Sequence, residues 1–103
     1  IPSIKLHTPQ QGSTVKESSF PLSVKTTATD SSGIDFVDIL YIKQDREGTT
    51  RIGRVTPPAT STANRYATIW KTSPGPGTYT VYAIAYDKTG NSKESDRHTI
   101  TIE

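Results

Sequence analysis

The segment TYTVYAIAYD, residues 78–87, alternates between two kinds of side chain along its whole length. A two-residue period of this kind indicates a β-strand whose two faces differ. The predicted inward face carries Tyr79, Val81, Ala83 and Ala85, and the predicted outward face carries Thr80, Tyr82, Ile84 and Tyr86. A turn is expected to follow, because Gly90 accepts backbone angles that other residues avoid. This strand therefore predicts a β-protein with its core on one side of a sheet.

The rest of the chain has the same character. Further strands are predicted at residues 3–8, 20–30, 34–43, 49–55, 64–72 and 96–103, and residues 14–16 are expected to resume pairing after the first turn. The segments between them, among them SPGPG and KTGNSKES, read as loops or turns, and no stretch has a helical period. We predict an all-β fold, a two-sheet antiparallel immunoglobulin-like sandwich of about seven strands. Residues 1–103 form one domain in this interpretation, and the start at Ile1 rather than Met indicates a piece of a longer protein.

The composition excludes several functions. The net charge is only +2 with scattered basic residues, which argues against nucleic acid as a partner. The chain has no cysteine, so a disulfide, a zinc knuckle and a thiol nucleophile are excluded, and no apolar run is long enough for membrane insertion. The two histidines, His7 and His98, lie near opposite ends of the chain on terminal strands, where each is expected to be a surface or edge histidine. No known catalytic motif is present. The sequence therefore predicts a chain that is not an enzyme.

Four motifs occur in order along the chain. They are K-L-x-x-P-x-x-G-S-T-V at residues 5–15, L-x-V-x-x-x-A-x-D-x-x-G-I at 22–34, V-x-I-x-Y at 37–41 and P-G-x-Y-x-V-x-A-x-A-x-D-x-x-G-N at 76–91. With these motifs the chain resembles, over nearly its whole length, the bacterial immunoglobulin-like domains of secreted glycoside hydrolases and cell-surface proteins. The resemblance implies a secreted or cell-surface location and a non-catalytic role as a spacer or interaction module.

The resemblance also implies partners. Neighbouring domains of the same chain are expected first, a polysaccharide or another surface protein second, and the chain itself is expected to be a monomer. Two other functions stay open: a carbohydrate-binding module that uses Tyr82 and Tyr86, and an adhesin module rigidified by calcium. The parent protein is then a hydrolase or an adhesin, with any catalysis in another domain.

Two loops share one pattern, because ATDSSG at 28–33 and AYDKTG at 85–90 both read A-x-D-x-x-G. In the related sandwiches the second and sixth main strands face each other, so the resemblance places Asp30 and Asp87 near each other at one end. Each carboxylate is expected to organise its own loop through Asx turns completed by a glycine. The alternative is a calcium site, with oxygen ligands from Asp30, Asp87, Asp35 and Asn91. If there is no calcium site, we expect the chain to bind no cofactor.

The outward face of strand 78–87 is expected to continue onto strand 34–43. Turning Val37 inward together with Ile34 requires a bulge between them. The outward side chains would then form a contact patch of Leu40, Ile42, Tyr82, Ile84 and Tyr86. The alternative is the reverse phase, in which this bulky set is the core. We also expect Trp70 in the core or at its edge, and a hydrogen bond from the Tyr79 hydroxyl back to the preceding loop.

Overall fold

The computed structural model describes residues 2–46, 48–56 and 64–103 and folds them into two packed β-sheets. The strands are β1 Ser3–Thr8, β2 Thr14–Val15, β3 Leu22–Thr29, β4 Ile34–Lys43, β5 Thr50–Val55, β6 Arg65–Trp70, β7 Gly77–Asp87, β8 Ser92–Glu94 and β9 His98–Ile102. A 3₁₀ turn spans Glu17–Ser19. The predicted all-β sandwich is confirmed. None of the described segments forms a helix that is long and apolar enough to cross a membrane.

The two sheets differ in size. The small sheet has the order β1-β3-β6, and the large sheet has the order β2-β9-β7-β4-β5 with β8 beside β7. Pairing is antiparallel except between β2 and β9, which run parallel. The prediction of a simple turn over KTGNSKES was wrong, because β8 lies within it. β7 is 11 residues long and β9 pairs only with its first half, so Ser92–Glu94 completes the edge beside residues 84–86.

The predicted phase of β7 is confirmed, since Tyr79, Val81, Ala83 and Ala85 are all buried in the core between the sheets. The register of β4 against β7 shifts between Ile34 and Phe36, and this is the expected bulge. The other buried residues of the core are Leu6, Val24, Ala28, Ile34, Val37, Ile39, Tyr66, Trp70, Ile100 and Ile102. Trp70 is therefore a core residue, as predicted.

The register defines two poles of the sandwich. At one pole Ile34 pairs with Asp87, and we call this end the aspartate pole. At the opposite pole Lys43 pairs with Tyr79, whose hydroxyl donates to the Gly75 carbonyl at 2.9 Å as predicted. β1 begins at the aspartate pole and β9 ends at the opposite pole, where Ile102 pairs with Gly77. The chain therefore runs between the two ends of a body whose longest dimension is 40 Å.

Candidate functional site

Asp87 ends β7 and organises the loop that follows. Its Oδ1 accepts hydrogen bonds from the Thr89 amide at 2.9 Å, the Thr89 hydroxyl at 2.8 Å and the Asn91 amide at 2.9 Å. Burial opposes ionisation of this carboxyl, but the hydrogen bonds from Thr89 and Asn91 outweigh it and lower the pKa of Asp87. The carboxylate thus acts as an acceptor for its own turn.

Asp30 ends β3 and does the same in a more exposed loop. Its Oδ2 accepts from the Ser32 amide at 2.9 Å and from the Ser32 hydroxyl. These hydrogen bonds lower the pKa of Asp30, although the nearby charge of Asp87 raises it. The two loops also meet directly, because the Lys88 amide donates to the Gly33 carbonyl at 3.2 Å. The shared sequence pattern therefore corresponds to two neighbouring turns at the aspartate pole.

The other two predicted calcium ligands lie differently. Asn91 belongs to the Asp87 loop, where its side-chain amide donates to the Thr89 hydroxyl at 3.1 Å. Asp35 is exposed on β4, and its charge acts on Arg54, which lies on β5. Within the described ranges, no group of three or more His, Cys, Asp or Glu side chains is arranged to hold a metal ion. Asp30 and Asp87 each accept hydrogen bonds from their own loop, and calcium binding at this pole stays a prediction.

The predicted contact patch lies on the outer face of the large sheet. Leu40 pairs with Tyr82, and Ile42 pairs with Thr80. Tyr82 is only 6% exposed although it faces away from the core, and the other patch members, Leu40, Ile42, Ile84 and Tyr86, are half-buried. The patch is therefore a covered surface in this structure, and its use as a contact surface stays a prediction.

Two arginines provide the cover. The Arg97 guanidinium lies 4.3 Å from the ring centre of Tyr82 and donates to Glu94 at 2.7 Å. Arg54 lies 4.0 Å from the ring centre of Phe36, which in turn stacks on Tyr86 with ring centres 4.4 Å apart. Each cation over an aromatic face contributes about 0.5–1 kcal/mol at exposed sites. A sugar that stacked on Tyr82 would have to displace Arg97.

Asp38 anchors this outer layer and was missed by the sequence analysis. Its carboxylate is buried on the outer face and accepts from Arg54 Nε at 2.7 Å and Nη2 at 3.0 Å. Arg51 approaches the same carboxylate at 4.0 Å. The sequence signal for this pair was a charged residue in the outward phase of an apolar strand. A hairpin arm with two arginines follows that strand. Both carboxylate oxygens of Asp38 thereby pair with the Arg54 guanidinium.

His98 also differs from expectation. A surface or edge histidine was expected, but the structure buries His98 at the start of β9. Its Nδ1 lies 2.7 Å from the Pro9 carbonyl oxygen and its Nε2 lies 2.9 Å from Asp96 Oδ2. The hydrogen bond with His98 lowers the pKa of Asp96. The ring therefore ties the loop after β1 to β9.

A cleft of about 400 Å³ opens at the opposite pole, between the β4–β5 hairpin and the start of β7. Among the described residues that line it are Tyr41, Lys43, Arg46, Pro74 and Tyr79. Neither a histidine nor a carboxylate is among these described lining residues.

Comparisons with known proteins agree with this architecture. Fibronectin(III)-like modules of CbhA from Clostridium thermocellum match with a TM-score of 0.61 and 20% identity, over 97% of this chain and 94% of that chain. An LPMO from Kitasatospora papulosa matches with a TM-score of 0.61 and 14% identity, over 90% of this chain and 51% of that one. Murine CRIg matches with a TM-score of 0.50 and 11% identity, over 100% and 97%. At these identities the likeness shows the fold alone.

No curated protein matches the chain. A protein family described as "Bacterial Ig domain" matches residues 2–83, which is most of the chain and includes β1 to the middle of β7. The resemblance found in the sequence is thereby confirmed: the chain belongs to the bacterial Ig domain family.

Proposed function

We propose that this chain is a non-catalytic spacer and interaction module of a secreted or cell-surface multidomain bacterial protein, and that residues 1–103 act as one Ig-like domain. Its first partners are the neighbouring domains, and it works as a monomer. The observation that carries the proposal is the parallel pairing of β2 with β9, which joins a segment near the amino end of the chain to β9 near its carboxyl end.

The pairing is extended by backbone hydrogen bonds on both sides of the short ladder. They are Gly12 N to Thr99 O at 2.8 Å, Thr101 N to Ser13 O at 3.0 Å, Glu103 N to Val15 O at 2.8 Å and Glu17 N to Glu103 O at 3.0 Å. A pull on the two ends first loads β1 against β3, and once β1 is released it draws β2 towards the aspartate pole and β9 towards the opposite pole. The bonds are then loaded in shear, so they resist together rather than one after another. This is the behaviour that a load-bearing spacer needs.

The similar structures are consistent with a modular role. The CbhA structures are described as fibronectin(III)-like modules, and the match to the LPMO spans about half of that chain. Domains joined to the two poles of this sandwich would lie in line along its 40 Å axis.

Single-molecule force spectroscopy tests the proposal with two pulling geometries. Handles at the two ends of the chain load β2 and β9 in shear, whereas handles at Ser18→Cys and at the carboxyl end load the same ends of both strands and peel them apart. We expect the end-to-end pull to require the higher force and to release about 300 Å of chain in one step, since an extended residue spans about 3.3–3.6 Å.

A matched pair of variants sharpens this experiment. Glu17→Pro removes the amide that donates to Glu103, and proline is tolerated at the first position of a helical turn. Glu17→Ala keeps that amide and loses only the side chain. We expect the proline variant to unfold at lower force than the alanine variant. Equal forces in the two pulling geometries would contradict the role as a load-bearing spacer.

A further inference from the structure

The outer face of the small sheet has an unusual charge distribution. Strands β1, β3 and β6 read SIKLHT, LSVKTTAT and RYATIW, and they contain Lys5, Lys25 and Arg65 but no Asp or Glu. The acidic residues that the structure describes therefore all lie outside this sheet. We call the outward surface of the three strands the basic face.

The register arranges the cations in a flat array. Lys5 pairs with Thr27, and Thr27 pairs with Arg65 on its other side, so these three residues form one row. Lys25 lies in the next outward row, opposite Ala67. With strands about 4.8 Å apart and a two-residue step of about 6.7 Å, the Cα atoms of Lys5 and Arg65 lie roughly 10 Å apart, with Lys25 about 7 Å along the sheet. The array spans several units of an extended polymer.

Carboxylates near the edges of this sheet are already engaged. Asp30, directly after β3, accepts from Ser32, and Asp96 is held by His98. Residues 57–63, which precede β6, carry no charged side chain. The lysines of the basic face have no acidic residue on their own three strands, and an anionic ligand would relieve their mutual repulsion.

The other side chains of the face indicate which anion. Lys5, Lys25, Ser23 and Thr29 are exposed, and Thr27 is half-exposed, so hydroxyl groups surround the lysines. No Phe, Tyr or Trp points outward here, since Tyr66 and Trp70 lie in the core, whereas protein interfaces and single-stranded nucleic acids rely on aromatic anchors or stacking platforms. Flat, hydroxyl-rich and cationic chemistry is complementary to a sugar polymer that bears negative charges.

We propose that the basic face binds a polysaccharide that carries carboxylate groups, with Lys5 and Lys25 pairing with the carboxylates. Ser23, Thr27 and Thr29 hydrogen-bond to the sugar hydroxyls. This proposal deepens the interaction role proposed above and rests on it. The basic face lies on the opposite side of the molecule from the contact patch that the sequence predicted.

The test uses polygalacturonate as the probe, with dextran as the neutral polymer and polyphosphate as the anionic polymer without sugar. Binding is measured by calorimetry for the wild-type chain, for Lys5→Gln/Lys25→Gln, and for Lys16→Gln/Lys93→Gln as a control of equal net charge. Lys16 and Lys93 are exposed but lie outside the small sheet. Amide NMR shifts on titration locate the bound surface.

We expect polygalacturonate to bind and to shift amides of β1, β3 and β6. The Lys5→Gln/Lys25→Gln variant should lose about tenfold or more in affinity, since it removes two cations that face the carboxylates, while the control variant stays within about twofold. Binding should also weaken steeply when the Debye length falls from about 30 Å at 0.01 M salt to about 3 Å at 1 M.

Three results would overturn the proposal: absence of binding, equal losses in both double variants, or polyphosphate binding as tight as polygalacturonate. None of them affects the force measurements on the wild-type chain, and Lys5 and Lys25 lie outside the β2–β9 pair. A chain that shows the expected unfolding forces but does not bind polygalacturonate would support the spacer role and contradict the proposal that the basic face binds a polysaccharide.

Discussion

The strands of both sheets alternate in the same way, but the two outer faces of this sandwich differ in how their charged side chains are paired and exposed. On the large sheet, Arg54 is paired with Asp38 and Arg97 with Glu94, and both guanidiniums lie over aromatic rings. On the small sheet, Lys5 and Lys25 are exposed among hydroxyl groups, with no acidic residue in any of its strands. One face is neutralised and covered by its own side chains, and the other presents charge to solvent. Outward-pointing side chains on a strand therefore do not by themselves make a binding surface.

The apolar residues on the two faces show the same contrast. Tyr82 on the large sheet is 6% exposed, whereas Ile69 on the small sheet is 48% exposed and is the large hydrophobic residue most open to solvent among those described. The outer layer of the large sheet thus behaves as a second layer of packing. It adds to the stability of the fold, while the small sheet leaves its surface unpacked.

Replacing these two residues should give the largest separation between the faces. Tyr82→Ala removes a buried ring and its contact with Arg97, so we expect a loss of about 3 kcal/mol in the free energy of unfolding. Ile69→Ala, the matched change on the small sheet, should cost about 0.5 kcal/mol or less. Chemical denaturation measures both. Equal losses would show that the large sheet's outer layer is not packed more closely than the small sheet's.

The carboxylates of β4 provide a second, smaller contrast. Asp38→Asn weakens two hydrogen bonds to Arg54, and hydrogen bonds to charged groups contribute about 1.5–3 kcal/mol, so a loss of about 2 kcal/mol is expected. Asp35→Asn changes an exposed carboxylate on the same strand and should stay within about 0.5 kcal/mol of the wild type. Urea unfolding curves of the two variants give the comparison. If both changes cost the same, Asp38 is not the anchor of the outer layer.

The sequence predicted the features that depend on strand period. Val81, Ala83 and Ala85 face the core because alternation fixes the faces of a strand whose one side is apolar. The bulge after Ile34 followed from the same rule, since a single phase could not place both Ile34 and Val37 inward. The two aspartate loops were also predicted, because an A-x-D-x-x-G turn satisfies its own backbone donors locally.

The features that were missed depend on register and on long-range contacts. Asp38 meets Arg54 across a hairpin whose register shifts between Ile39 and Leu40, and no local pattern gives that shift. Arg97 reaches Tyr82 because the chain leaves the ladder between β8 and β9, where the Ser95 hydroxyl accepts from the Ala83 amide at 2.9 Å. His98 is buried by the Pro9 carbonyl, 89 residues away in the chain. The covered state of the patch was therefore not visible from its own residues.

The smallest expected effect concerns the lysines of the basic face and separates a structural role from a binding role. Lys25→Gln removes one of several like charges without breaking a hydrogen bond, so the free energy of unfolding should rise by about 0.3 kcal/mol at low salt. The increase should vanish at about 1 M salt, where the Debye length is about 3 Å. Lys93→Gln, whose exposed lysine lies next to Glu94 on β8, should show no such gain. Thermal melts at two salt concentrations measure both variants. A loss of stability in Lys25→Gln would mean that the lysine supports the fold, whereas a gain combined with weaker polygalacturonate binding means that the charge serves a partner at a small cost in stability.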